Sequence, residues 1–93
     1  GLHGLPRLVR DMAKNLGKQI ELVILGDEVE VDRDILERLE SPLTHMLRNS
    51  VDHGIELPDV REASGKSATG KIIIEAKHRA GMLSVTIQDD GKG

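Results

Sequence analysis

The sequence predicts an α+β fold, with helices packed on one face of a mostly antiparallel sheet. Hydrophobic periodicity along the chain indicates the element order helix, hairpin, two helices, hairpin. The 93 residues leave room for one small domain. Hydrophobic residues make up 38% of the chain and none of them is aromatic, so the core must be built from aliphatic side chains.

Residues 6–16 repeat their apolar side chains at the spacing of one helical face, which predicts the first helix. Pro6 suits the first turn of this helix, and Gly17 suits its end. Residues 18–25 first alternate polar and apolar side chains and then become mostly apolar, which is typical of a strand. A turn at 26–27 and a short partner strand at 29–31 complete a predicted hairpin.

Two helices follow in the prediction. Asp32 or Asp34 caps the first of them, which runs to about residue 40. Ser41 as a cap and Pro42 at the first helical position restart the chain as a helix over 43–53, and Gly54 closes it.

The last third of the chain predicts one more short helix and a second hairpin. Residues 56–64 form the helix around Pro58, and 65–70 form a loop. Strands at 71–77 and 82–88 are joined by a tight turn at 79–81.

The composition excludes several function classes. Thirteen Lys and Arg against 16 Asp and Glu give a net charge of −3, too balanced for a nucleic-acid or membrane-surface protein. No segment approaches the roughly 18 consecutive apolar residues of a membrane-spanning helix. The chain has no cysteine, which excludes a disulfide scaffold and fits a reducing compartment. We therefore expect a cytoplasmic protein that neither binds nucleic acid nor inserts into a membrane.

The helix over 43–53 separates its apolar side chains from its polar ones. On a helical wheel of about 100° per residue, one face is apolar and the opposite face is polar. The polar face consists of His45, Arg48, Asn49, Asp52 and His53. An imidazole, a carboxamide and a carboxylate spaced i, i+4, i+7 suit a metal-bound phosphate. The spacing alone also fits a solvated polar face without a ligand.

A second candidate site lies at 89–93, where DDGKG follows an alternating strand. Glycines let a backbone come close to a ligand while a carboxylate accepts a hydrogen bond from it. An ordinary Asp-Gly turn is the alternative.

Residues 43–56 (LTHMLRNSVDHGIE), followed by 89–93 (DDGKG), resemble the ATP-binding domain of CheA-type chemotaxis histidine kinases. These kinases belong to a superfamily with gyrase, heat-shock chaperones and MutL. Residues 5–13 are similar to the opening helix of that domain, and 30–32 to its second strand. The superfamily usually carries Glu where this chain has His45, and histidine there indicates the CheA branch. The resemblance implies that 1–93 is the N-terminal part of the domain, a truncated two-layer α/β sandwich of the histidine-kinase-like ATPase type that ends at its DxGxG motif.

The resemblance also implies roles for the helix residues, with ATP and Mg²⁺ as cofactors. Asn49 would coordinate Mg²⁺ that bridges the nucleotide phosphates, and Arg48 would lie near the phosphates. His45 would act as general base or polarising group toward the accepting histidine. Asp52 and His53 would line the nucleotide cleft.

In the DxGxG motif, Asp89 would accept a hydrogen bond from the adenine amino group. Gly91 and Gly93 would let the loop pack against the nucleotide.

The resemblance implies a parent protein that transfers the γ-phosphoryl group of ATP to a histidine. Its partners would be a phosphoacceptor histidine domain, a response regulator, a coupling protein and receptors. We expect the 93 residues alone to be inactive and to self-associate, with the apolar run 72–74 as the most exposed segment if its neighbours are missing. A non-catalytic interaction module that keeps the fold is the alternative function. Another ATPase of the superfamily is disfavoured by His45.

Overall fold

The computed structural model describes residues 4–26 and 32–91. These residues form an α+β arrangement, which confirms the predicted class. Among their helices, none has the length and apolar character needed to cross a membrane. The elements in chain order are α1 (Leu5–Leu16), β1 (Ile20–Leu25), α2 (Arg33–Asn49), a π-helical turn (Ser50–Gly54), α3 (Pro58–Ala63), β2 (Gly70–Arg79) and β3 (Met82–Asp89).

Helix α1 forms where the periodicity predicts it. Pro6 lies in the first turn, where its missing N–H removes no helical hydrogen bond. Gly17 ends the helix in the left-handed conformation, with a φ of 69°. Val9 and Ala13 are buried and attach the helix to the core.

The sheet has the strand order β1-β2-β3, with β2 in the centre. Within the described residues the sheet is mixed rather than mostly antiparallel as predicted, because β1 pairs with β2 in parallel and β2 pairs with β3 antiparallel. Helices lie between β1 and β2 in the chain, and such a crossover returns the second strand in the same direction. The predicted partner strand at 29–31 lies outside the described residues.

The predicted hairpin between β2 and β3 is confirmed. Arg79 pairs with Met82, so two residues form the loop. Ala80 and Gly81 have φ values of 49° and 77°. Positive φ at both central residues is what a type I′ turn requires, and this turn matches the twist of the strands.

Helix α2 continues through Pro42, so the predicted restart at Ser41 and Pro42 is wrong. An internal proline costs a helix about 3 kcal/mol. Leu39, Leu43 and Leu47 follow one another at intervals of four residues, and the last two are buried. Both buried leucines follow Pro42 and belong to the hydrophobic core, and their burial offsets the cost of the proline.

The core lies between the helices and one face of the sheet. Val9, Leu47, Val51 and Ile55 pack against Ile72 and Ile74. Both isoleucines are completely buried, because β2 has a strand on each side and helices above it. The neighbours of the run 72–74 are thus present, and they cover Ile72 and Ile74 and leave Ile73 half-buried.

Candidate functional site

The five polar residues predicted on the helix are all exposed, but two structural elements carry them. His45, Arg48 and Asn49 end α2, whereas Asp52 and His53 lie in the π-helical turn. Asn49 Nδ2 lies 3.4 Å from His45 Nε2. This contact uses the amide nitrogen and leaves the amide oxygen of Asn49 for another partner.

The π-helical turn changes how the chain leaves the helix. The Ile55 N–H donates to the Ser50 carbonyl at 2.8 Å, a bond between residues five apart. The wider turn brings both Val51 and Ile55 into the core. The helical stretch ends at Gly54, as predicted, but Gly54 is not in the left-handed conformation. Single π turns inside or after α-helices occur often at functional sites.

Lys18, in the loop before β1, forms hydrogen bonds to the backbone of this turn. Its ammonium group donates to the Val51 carbonyl at 2.6 Å and to the Asp52 carbonyl at 2.7 Å. Carbonyls at the end of a helix lack partners within the helix and favour a cation. Lys18 therefore stabilises the geometry that presents Asp52 and His53.

Replacing Lys18 with methionine is expected to loosen the π-helical turn. The variant keeps most of the side-chain length but loses two hydrogen bonds to a charged group. Each such bond is worth about 1.5–3 kcal/mol, so the loss of even one should accelerate amide exchange of the segment 50–55 at least about tenfold. Hydrogen–deuterium exchange of the full-length protein measures this, with the exposed Lys14→Met as control. Equal exchange rates in the two variants would contradict the role of Lys18.

Asp89 and Gly91 meet the end of the π-helical turn at Gly54. Register pairs Asp89 with the buried Ile72, which places Asp89 on the helix-facing side of the sheet. A Cβ atom on Gly54 would lie 3.0 Å from Asp89 Oδ2, and one on Gly91 would overlap the Gly54 carbonyl oxygen. The Gly91 N–H donates to Asp89 Oδ1 at 3.0 Å. Glycine is therefore required at position 91, whereas a Cβ atom at position 54 would be tolerated only if the Asp89 side chain shifted by a few tenths of an ångström.

Arg61 of α3 is buried beneath the loop that follows β3, with a side chain only 2% exposed. Its Nε donates to the Ser67 carbonyl at 2.6 Å. Its Nη1 lies 3.1 Å from Glu56 Oε1, and its Nη2 lies 3.2 Å from Asp90 Oδ2. The sequence indicates no role for Arg61 or Asp90, because a hydrophobic pattern does not show that a charged residue is buried.

Lys66 extends this ion-pair network. Its ammonium group donates to Glu56 Oε2 at 2.9 Å and to the Gly91 carbonyl at 3.2 Å. The hydrogen bond from Lys66 is the main reason that the pKa of Glu56 is held below its ordinary value. A lowered pKa means that the stabilisation is present at neutral pH and is lost as the pH falls through that pKa. The sequence signal for the network is an acidic residue, Glu56, followed by the basic residues Arg61 and Lys66.

Two cavities lie along α2. One of about 660 Å³ lies between α1 and α2, with Leu8 and Leu36 among its lining residues. The other, of about 420 Å³, is lined by His45 and Arg48 together with glutamates of the same helix. Neither of these two cavities is lined by Asn49 or Asp89.

The structure thus brings the predicted site residues together in two groups. His45 and Asn49 form one group on α2. Asp89 and Gly91 form the other, at the junction with Gly54. Gly93 lies outside the described residues. Within the described part of the chain, no three His, Asp or Glu side chains are grouped to hold a metal ion.

No protein-family model matches the chain. It is 49% identical over 88 residues to chemotaxis protein CheA of Salmonella typhimurium, an alignment that covers 95% of this chain and 13% of the relative. CheA of Bacillus subtilis is 43% identical, with the same coverage of both chains. Sensor histidine kinase CheAY of Helicobacter pylori is 47% identical over 95% of this chain and 11% of the relative. The chain spans about an eighth of the length of these relatives, and nearly all of it is similar to one segment of CheA proteins.

Proposed function

We propose that this chain is the N-terminal part of the ATP-binding domain of a CheA-like histidine kinase, with the two-layer sandwich of histidine-kinase-like ATPases. The observation that carries the proposal is the contact between Gly54, Asp89 and Gly91. It joins a carboxylate at the end of a strand to the helix that bears His45 and Asn49. Similarity to CheA along 95% of the chain supports the same function.

Asp89 is proposed to recognise the adenine base. Its Oδ1 accepts a hydrogen bond from the Gly91 N–H, which fixes the carboxylate and leaves Oδ2 for a ligand. A carboxylate only accepts hydrogen bonds, so it pairs with the exocyclic amino group of adenine. Guanine presents a carbonyl at that position and would be rejected. The two glycines allow the base to come close to the backbone.

Asn49 is proposed to hold Mg²⁺ at the phosphates. Its side chain is exposed, and its contact with His45 leaves the amide oxygen available. An amide oxygen fits Mg²⁺, a hard cation that usually keeps several water ligands and binds substrate phosphates. When bound, Mg²⁺ neutralises charge on the phosphates. Arg48 would add positive charge near them, while Asp52 and His53 would line the cleft.

His45 is proposed to assist phosphoryl transfer. The accepting histidine attacks the γ-phosphorus of ATP, so that a nitrogen–phosphorus bond forms, the bond to the bridging oxygen breaks, and ADP leaves. Such transfer depends mainly on positioning and electrostatic stabilisation. A neutral imidazole at position 45 can take up the proton that the accepting histidine loses.

The parent kinase is proposed to work in the cytoplasm within a two-component phosphorelay. Its partners would be a phosphoacceptor histidine domain, a response regulator, a coupling protein and receptors. The chain on its own is proposed to be inactive and to self-associate. Both β1 and β3 have a neighbour on one side only in the described sheet, and unpaired strand edges favour association.

Two variants of the full-length protein test the proposal by calorimetry. Asp89→Asn replaces a hydrogen-bond acceptor with an amide and should lower the affinity for ATP about ten- to a hundredfold, with or without Mg²⁺. Asn49→Ala should weaken Mg-ATP by at least about tenfold and leave the binding of metal-free ATP nearly unchanged. The exposed Asp11→Asn is the control for a change of charge. Unchanged ATP affinity in both site variants would reject Asp89 and Asn49 as the nucleotide site, and a wild-type protein that binds no ATP would favour an interaction module.

A further inference from the structure

The ion-pair network of Arg61, Glu56, Lys66 and Asp90 contacts the backbone next to Asp89. Arg61 Nη1 and Lys66 Nζ each donate to the Asp90 carbonyl at 3.3 Å. Lys66 also reaches the carbonyl of Gly91. The two cations therefore hold the peptide groups that immediately follow Asp89.

Asp90 is also attached to the sheet. Its Oδ1 accepts from the Lys71 N–H at 2.8 Å, and its own N–H donates to the Lys71 carbonyl at 3.2 Å. Its Oδ2 faces Arg61. Asp89 is therefore followed by a residue whose main chain and side chain are both fixed.

A buried guanidinium group is costly unless its donors are satisfied. Arg61 meets this requirement with hydrogen bonds to Ser67, Glu56 and Asp90. The network contains two cations and two carboxylates, so its charge is balanced. The side chain of Glu56 is only 12% exposed and is shared by Arg61 and Lys66. None of these contacts uses the side chain of Asp89.

We propose that Arg61 is a positioning residue for base recognition, which acts through Asp90 to set the position of the Asp89 carboxylate. This inference rests on the proposed function of Asp89. Arg61 does not touch the nucleotide in this scheme. Its planar group bonds Ser67, Glu56 and Asp90 in three directions at once, which a lysine ammonium on a shorter, flexible stem cannot reproduce.

The test compares Arg61→Lys, Asp89→Asn and the double variant in the full-length kinase. Arg61→Lys is expected to raise the KM for ATP about tenfold with little change in kcat, and to reduce the preference for ATP over GTP. Because Arg61 acts through Asp89, the double variant should bind ATP no more weakly than Asp89→Asn alone. Glu62→Gln, an exposed change on α3, is the matched control. A purely structural role would lower the amount of active enzyme and kcat instead.

Each outcome of this test supports or overturns the positioning role of Arg61. The positioning role is overturned, and the proposed function stands, if Asp89→Asn weakens ATP binding but Arg61→Lys leaves the KM for ATP unchanged. The same conclusion follows if the loss of ATP affinity in the double variant equals the product of the losses in the two single variants. If Asp89→Asn leaves ATP binding unchanged, the proposed function itself fails. Should Arg61→Lys not fold, as judged by its melting temperature, Asp90→Asn takes its place in the same cycle. That variant weakens the ion pair with Arg61 and keeps an oxygen for the Lys71 N–H.

Discussion

Replacing His45 with glutamine in the full-length kinase is expected to lower phosphotransfer about 10²–10⁴-fold, the usual contribution of a general acid–base group. The affinity for ATP should stay within a few fold of the wild type. His45 contacts Asn49 through its ring nitrogen, and a glutamine amide can preserve a polar contact there but cannot take up a proton. Autophosphorylation rates and calorimetric binding, measured on the same preparations, separate the two effects.

The control for this variant is His78→Gln, which changes an exposed histidine on β2. It should leave both ATP binding and phosphotransfer at wild-type levels. If His45→Gln loses binding and activity in equal proportion, or loses neither, His45 is not the general base. It would then be only one member of the polar face of α2.

Replacing Gly91 with alanine should disrupt the junction between β3 and the π-helical turn. The added Cβ would overlap the carbonyl oxygen and the carbonyl carbon of Gly54. Both atoms belong to the backbone, so a side-chain rotation cannot relieve the contact. The loop must move away from the helix and carry Asp89 with it. Overpacking of this kind costs about 1–3 kcal/mol, so ATP affinity should fall about five- to a hundredfold.

Calorimetric titration of ATP into the full-length protein measures the loss, with Gly4→Ala as the matched control. A Cβ on Gly4 would meet no atom within 4 Å, so this variant should bind ATP as the wild type does. Wild-type affinity in Gly91→Ala would show that the junction does not contribute to nucleotide binding.

Several elements were predictable because their signals are local. Pro6 and Gly17 mark the two ends of α1, and both act within one helical turn. Ala80 and Gly81 form the β2–β3 turn within a hairpin of adjacent strands. The exposed polar residues of α2 follow from helical periodicity alone. Their assignment to Mg-ATP came from resemblance, and it stays a prediction.

The close contacts of the site were beyond sequence reasoning. Gly54 was expected only to end a helix, whereas the fold packs it against Asp89 and Gly91, which are far from it in the chain. The π-helical turn depends on the burial of Val51 and Ile55 and on the hydrogen bonds from Lys18. No periodicity within 50–54 indicates these partners.

The sequence by itself determined the local conformations and which face of each helix is apolar, since these depend on residues within a few positions of one another. Only the tertiary structure decided the parallel pairing of β1 with β2 and the continuation of α2 through Pro42. It also decided the burial of Arg61. These features depend on contacts between distant segments, where the free energy of burial and of ion pairing outweighs local preference.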